Sequence, residues 1–228
     1  MYDFMKLTER DQEILTWIAR HSFVTAKQIE TAFGVSRQIS YRILRKLKEY
    51  EYVKNELVMR TLGLFYATED GIEVAGIDMT PLQRVNNLAE IRHELMINDL
   101  EVTLMLEAKR QGQDFKWVTS REIKRRKYKN AERIEGSNLV KGQKDDLPDA
   151  YWLQNGNTAA IEVELTRKDK KRIQEKFKTY DAELAANRIQ AVFYYTDKQT
   201  IKNLLESQRG VMEHKSRLII RDFPKVGE

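Results

Sequence analysis

Residues 147–168 read LPDAYWLQNGNTAAIEVELTRK. Two short runs with alternating apolar residues flank Asn155-Gly156-Asn157, and Asn-Gly between such runs is a strong hairpin signal. The spacing predicts two antiparallel strands. Asp149 opens the first, while Glu162 and Glu164 lie near the end of the second. Acids form strands poorly and are costly to desolvate, so three carboxylates in half-buried segments ask for a chemical reason. Side chains at i and i+2 of a strand share a face, so Glu162 and Glu164 are expected to point the same way, with Asp149 converging from the partner strand.

The flanking sequence supplies the rest of a sheet. Upstream, residues 82–111 carry one long helical pattern through Leu88, Ile91, Leu95, Leu100, Leu104 and Leu106, and DFKWVTS (114–120) follows as a strand. The basic, polar segment 121–146 is read as an exposed arm or loop. Downstream come a basic helix at about residues 167–186, a buried strand IQAVFYYT, a helix KQTIKNLLESQ and a last strand SRLIIRDF. Helix, three strands, helix, strand, helix, strand is a mixed α/β layout around one sheet.

The N-terminal segment has a different character. LTERDQEILTWIARHS opens with Thr8 followed three residues later by Asp11, close to a capping box, ahead of Ile14, Leu15 and Ile18 at helical spacing. VTAKQIETAFG is a second short helix from Thr25 to Gly34, and Ser36 caps a third with Ile39, Ile43, Leu44 and Leu47 facing inward. A hairpin and a small terminal helix, TEDGIEVAG, complete the unit. Three helices and a hairpin follow the winged helix-turn-helix order, whose third helix enters the DNA major groove. Ser36, Arg37, Gln38, Ser40, Tyr41 and Arg42 occupy the first turns of that helix, with Arg45, Lys46 and Lys48 placed to hold the phosphate backbone. Pro81 interrupts the helical pattern, so two domains are expected, 1–78 and 79–228.

Composition narrows the function classes. The chain of 228 residues has no cysteine, which excludes disulfides and thiol catalysis, and its histidines, His21, His93 and His214, are too scattered for a His-x-His metal cluster. No run approaches the roughly 18 apolar residues of a membrane span, and the opening residues read as a folded helix with no signal peptide, so a cytoplasmic location is expected. The net charge is +5, yet segments 37–48, 121–129 and 166–178 each carry +5, leaving −10 for the remainder. Such concentration points to a polyanion partner. Lys124, Arg125, Arg126, Lys171 and Lys176 are the candidate phosphate contacts of the second domain.

Pro148-Asp149 on one strand and Glu162-Val163-Glu164 on the next, after a long helix, resemble the restriction-endonuclease-like PD-(D/E)xK core, an αβββαβ framework over roughly residues 83–196. A divalent ion of hard character takes oxygen ligands from such carboxylates, keeps several waters, and can lower the pKa of one of them. Glu164 stands where lysine is usual; Lys168 or Lys176 could supply the missing positive charge.

The whole chain resembles the replication-relaxation family of mobile elements, and especially MobC-type relaxases of conjugative plasmids, through LTERDQEIL, RHELMINDLEV and LPDA…IEVELTRK…KFKTY. The resemblance implies single-strand nicking of duplex DNA at a plasmid transfer origin, with Mg²⁺ or Mn²⁺ held by Asp149, Glu162 and Glu164, and other transfer proteins as candidate partners. His93, Asn98 and Asp99 match the family's helix pattern; His93 is a candidate beside the site, against a packing role. Lys176 and Tyr180, one turn apart, either face DNA or are a solvated lysine and a packed tyrosine. Tyr128, Tyr151, Tyr180, Tyr194 and Tyr195 are all conceivable nucleophiles, and water is the alternative. The second overall reading is a non-catalytic winged-helix DNA-binding regulator or accessory factor with a degenerate nuclease fold; a third is a restriction endonuclease. If the basic segments act together, log affinity for DNA should fall by about 0.9 per contacted phosphate for each unit of log salt, and a flat titration of binding against salt would exclude that.

Overall fold

The computed structural model describes residues 7–58, 60–82, 87–132 and 147–224. Contacts divide the chain into two compact units, Met1–Val102 and Thr103–Glu228. The division falls within a helix, beyond the Pro81 segment where the sequence suggested a boundary near residue 78.

The first unit begins with α1 (Glu9–Arg20), α2 (Ala26–Phe33) and α3 (Arg37–Glu49). Thr8 and Asp11 form the reciprocal capping box of α1, Thr25 and Gln28 repeat it on α2, and Ser36 caps α3. Gly34, at φ 60°, ends α2 in the left-handed conformation and lets the chain turn at once into α3. Strands β1 (Val53–Val58) and β2 (Leu62–Ala67) pair as an antiparallel hairpin, and Val24 bridges Phe65 from the helical side. A short helix, α4 (Glu69–Val74), closes this winged-helix order of elements. Ile14, Leu15, Ile18, Ile29, Leu44, Leu47 and Leu64 form its sealed interior.

The long helix α5 (Leu88–Arg110) carries the RHELMINDLEV segment. Its polar residues turn to the first unit. Asn98 donates to the Phe23 carbonyl (2.9 Å), Gln28 donates to Asp99 (2.8 Å) and to the Leu95 carbonyl (3.0 Å), and His21 Nε2 meets Glu101 Oε2 at 2.5 Å. His21 and Glu101 are both buried, and His21 Nδ1 also approaches the Trp17 carbonyl. Ile91, Ile97, Leu100, Val102, Leu104 and Ala108 are buried around much of the helix circumference. Leu88, expected on a single apolar stripe, is the first residue of the helix and is 56 % exposed, and burial farther along falls on several sides.

In the second unit, among the described residues, five strands lie in the order β3 (Lys116–Thr119), β4 (Ala150–Gln154), β5 (Asn157–Val163), β6 (Ala191–Tyr195) and β7 (Leu218–Arg221). β3, β4 and β5 are antiparallel neighbours, while β5, β6 and β7 run parallel. The β4–β5 turn consists of Asn155 (φ 49°) and Gly156 (φ 78°), the two positive φ values a two-residue type I′ turn needs. The parallel strands are joined through α7 (Lys170–Ala185) and α8 (Gln199–Gln208), as parallel pairing demands a crossover.

Ala160, Val192, Tyr194 and Leu218 on one sheet face pack with Ile173, Phe177, Tyr180 and Leu184 of α7 and with Ile201, Leu204 and Leu205 of α8. That period-2 face includes Glu162, two residues after Ala160. The expected helix, three strands, helix, strand, helix, strand order is present except that a further helix stands between β3 and β4.

One element was misread. Residues Ser120–Glu132 form a helix, α6, where an arm or loop was expected; the remainder of that segment, 133–146, lies outside the described residues. Thr119 and Glu122 satisfy each other's backbone N–H groups, a capping box spelled T-S-R-E that the surrounding basic residues obscured.

The α5 clasp carries a prediction. Glu101→Ala leaves the buried His21 ring without its carboxylate and should destabilise the first unit by about 1–3 kcal/mol. Urea midpoints would measure this, and Glu101→Gln, which keeps an acceptor, should cost less.

Candidate functional site

The site forms where β4 begins and β5 ends, beneath α7. Asp149 lies one residue before β4, yet its N–H already bonds to the Ile161 carbonyl (3.0 Å), which fixes its backbone against β5. Its Oδ2 accepts from the Val163 N–H at 2.7 Å. Glu162 sits within β5, only 2 % exposed, and faces α7. Lys176 and Tyr180 reach it from the same helix, one turn apart. Lys176 Nζ contacts both carboxylate oxygens, at 2.8 and 2.9 Å, and Tyr180 donates its hydroxyl to Oε1. Lys176 Nζ also lies 3.4 Å from the Leu147 carbonyl, and the Tyr180 ring is 5.9 Å from the ammonium.

Burial pushes the Glu162 carboxyl up to about 7, and the neighbouring charge of Asp149 adds to the rise; Lys176 and the Tyr180 hydroxyl oppose it. The Tyr180 hydroxyl is itself driven well above the usual phenol range, first by burial and then by Glu162. A carboxylate poised near neutrality beside a second carboxylate and a lysine is the electrostatic pattern of functional sites.

The third expected carboxylate is held differently. Glu164 follows the last residue of β5, its N–H bonds to the Tyr195 carbonyl, and its buried side chain pairs with Lys168 at 2.5 Å. Its carboxylate is thus committed to Lys168. Among the described residues no three His, Cys, Asp or Glu side chains converge on one point, so the expected Asp149–Glu162–Glu164 cluster reduces to the Asp149–Glu162 pair. Two carboxylates still suit a Mg²⁺-type ion, which uses one or two and keeps waters for its other positions.

Other expected residues divide in the same way. Lys168 serves Glu164, and Lys176, expected among the phosphate contacts, is turned inward to Glu162 with only 14 % of its side chain exposed. His93 lies in the α5 portion that belongs to the first unit, half-buried. Lys124 and Arg126 are exposed on α6, Arg125 is half-buried, and Lys171 is exposed on α7 beside Glu175. Tyr180 enters the site as the hydroxyl donor to Glu162. A signal for this was present, because Ile173, Lys176, Phe177, Tyr180 and Leu184 follow one inward stripe.

On α3, Ser36, Arg37, Gln38, Tyr41, Arg42, Arg45 and Lys48 are exposed, and the Arg37 guanidinium lies 5.6 Å from the centre of the Tyr41 ring. Two expected members of this face are not on it. Ser40 is fully buried, donating to the Arg37 carbonyl, and Lys46 is drawn to Asp11 at 2.7 Å. They lie off the two edges of the exposed arc, Ser40 turned to Glu30 of α2 and Lys46 to Asp11 of α1. No described helix is long and apolar enough to cross a membrane.

Elements of both units fall within one family. The Replication-relaxation profile matches residues 15–193, and the chain belongs to that family. No curated protein matches the sequence. Among solved structures, it is similar to the zinc-responsive MarR family member ZitR of Lactococcus lactis, with 27 % identity over 33 % of this chain and 53 % of that one, at a TM-score of 0.30. The match thus spans about half of ZitR's length. The transcriptional regulator SlyA shows 17 % identity over 47 % and 77 % of the two chains, TM-score 0.32. Streptococcus pneumoniae FabT, solved in complex with DNA, shows 14 % over 48 % and 75 %, TM-score 0.31. Overlap at that level leaves the chain's own geometry to carry any functional argument.

The raised pKa of Glu162 sets a pH dependence. The folded carboxyl holds its proton up to about 7, whereas an unfolded glutamate releases it near 4.5. Stability attributable to this group is therefore greatest below 4.5 and declines as pH rises to 7, by up to about 3 kcal/mol. Denaturation of the wild-type protein and of Glu162→Gln across that range should show the decline flattened in the variant; parallel curves would mean Glu162 stays ionised.

Proposed function

We propose that this protein binds duplex DNA through α3 and cuts one strand at the Asp149–Glu162 pair, as a soluble cytoplasmic, divalent-metal-dependent nickase that opens a plasmid transfer origin for conjugative mobilisation. The observation that carries the reading is the buried Glu162 gripped by Lys176 of the following helix, with the Asp149 carboxylate fixed beside it on the Val163 N–H. The order α5, β3, β4, β5, α7, β6 is similar to the αβββαβ framework of PD-(D/E)xK nucleases, with α6 inserted after β3. Membership of the Replication-relaxation family supports a role at a replication or transfer origin.

In this mechanism Asp149 and Glu162 would hold Mg²⁺ or Mn²⁺. The bound ion supplies Lewis-acid polarisation of a phosphoryl oxygen and an acidified water. Lys176 places a positive charge beside the carboxylates, in the role lysine usually fills from the position of Glu164. Tyr180 holds one Glu162 oxygen and so orients the carboxylate. Water is the favoured nucleophile over tyrosine. Tyr180, Tyr194 and Tyr195 are buried and Tyr151 is half-buried, and burial raises the hydroxyls of Tyr151, Tyr180 and Tyr195 further from ionisation. The side chain of Tyr128 lies outside the described residues. Arg37, Gln38, Tyr41, Arg42 and Arg45 form the base- and phosphate-contacting face of α3, with Lys124, Arg126 and Lys171 as further phosphate contacts.

A second reading, a DNA-binding regulator or accessory factor without catalysis, has its own observation. Tyr180 and Lys176 already engage both Glu162 oxygens, Lys168 engages Glu164, and the Val163 N–H engages Asp149. Such closed pairing is what a purely structural lock between sheet and helix would use.

Supercoiled plasmid carrying the cognate origin separates the two. The nickase converts it to open circle with Mg²⁺ or Mn²⁺ but not with EDTA, and Glu162→Ala and Asp149→Asn lose at least about 100-fold in rate while still retarding DNA. Retardation without conversion under any metal would leave the regulator.

A further inference from the structure

Lys176 has an unusual position for a residue of a basic helix. Five cationic side chains precede it between Arg167 and Arg172, and Lys178 follows it two residues later. Lys171, Arg172 and Lys178 are exposed, whereas Lys176 is folded against the sheet with its ammonium between the two oxygens of one buried carboxylate. Its surroundings are oxygen donors: Glu162 Oε1 and Oε2, and the Leu147 carbonyl beyond. That is the donor chemistry a hard divalent cation takes.

We infer that Lys176 is a displaceable resident cation: its ammonium holds the ion's place at Glu162, and metal binding drives it outward to the scissile phosphate. This rests on the metal-dependent reading of the Asp149–Glu162 pair. Two physical points support the exchange. An ammonium is a compact point charge on a flexible four-carbon stem, so it can leave one partner and reach another without moving its helix. A buried carboxylate left with no cation is costly, so the ammonium stabilises its ionised form when no ion is bound.

Tyr180 makes the exchange one-sided. Its hydroxyl keeps hold of Oε1, so Glu162 remains oriented after Lys176 departs. Lys168 does not substitute, because it is already paired with Glu164. Lys176 is thus a positioning residue for the ion-free state and a phosphate-contacting residue in the loaded one.

Mn²⁺ alone is the probe, with binding followed by electron paramagnetic resonance in the full-length protein. Lys176→Met should tighten Mn²⁺ binding by at least about tenfold, since the ion no longer competes with an internal charge. Glu162→Gln should abolish binding at this site. In the wild-type protein, acylation of Lys176, read by mass spectrometry, should rise severalfold when Mn²⁺ is added; this measurement needs no variant to fold. Equal Mn²⁺ affinity in wild type and Lys176→Met, or Lys176 labelling indifferent to the ion, overturns the exchange while leaving the metal site standing. If neither wild type nor Lys176→Met shows Mn²⁺ binding that depends on Glu162, the metal reading and the exchange fail together.

Discussion

A glutamate buried in a strand beneath a helix is the constraint around which the second unit is arranged. Glu162 occupies a position on the sheet face that Ala160, Val192 and Tyr194 otherwise fill with apolar contact. An isolated carboxylate there would cost several kcal/mol, so the structure must supply either a proton, hydrogen-bond donors or a counter-charge. It supplies donors and charge from α7, and the carboxyl nevertheless remains raised to about 7 by burial and by Asp149. A hydrophobic residue at this position would pack with less electrostatic compensation. Here the acid, the tyrosine donor and the lysine form one hydrogen-bonded set within an otherwise apolar face.

The same constraint explains why α7 has two characters. Ile173, Phe177, Tyr180 and Leu184 anchor it to the sheet, and Lys176 lies on the edge of that stripe, where a side chain can reach either inward or outward. Lysine suits such an edge because it joins an apolar stem to a polar tip. The outward residues, Lys171, Arg172 and Lys178, keep the positive surface that a polyanion partner would meet. The helix therefore separates charge used inside the site from charge offered to solvent by a matter of one residue in phase.

In the first unit a comparable economy appears in α5. Asn98, Asp99 and Glu101 lie within the segment that carries much of the family resemblance, and each engages a group of the first unit: the Phe23 carbonyl, Gln28 and His21. Their role in this structure is to fasten the helix. Buried polar groups of this kind are costly when half-satisfied and specify one arrangement when complete. The exposed row of α3, with Arg37 stacked near Tyr41, is left free of such duties.

Much of the architecture was legible because it is written in local rules. Thr8 with Asp11, Thr25 with Gln28, and Ser36 announce helix starts, Gly34 announces a stop, and Asn155-Gly156 announces a two-residue hairpin turn; each depends only on residues a few positions apart. α6 was missed although Thr119 and Glu122 spell its start, because its dense charge leaves Ile123 as the only buried apolar mark in the described part of the helix. The carboxylates themselves were visible, as was the possibility that Lys168 or Lys176 supplies a charge. Which lysine meets which acid was not, since that depends on where β5 ends and how α7 is rotated over the sheet. Glu164 falls just past the strand and takes Lys168, Glu162 lies within it and takes Lys176 and Tyr180, and Ser40 and Lys46 turn inward on α3. Spacing along the chain determines which side chains share a face; only the packing of one element against another decides what that face meets.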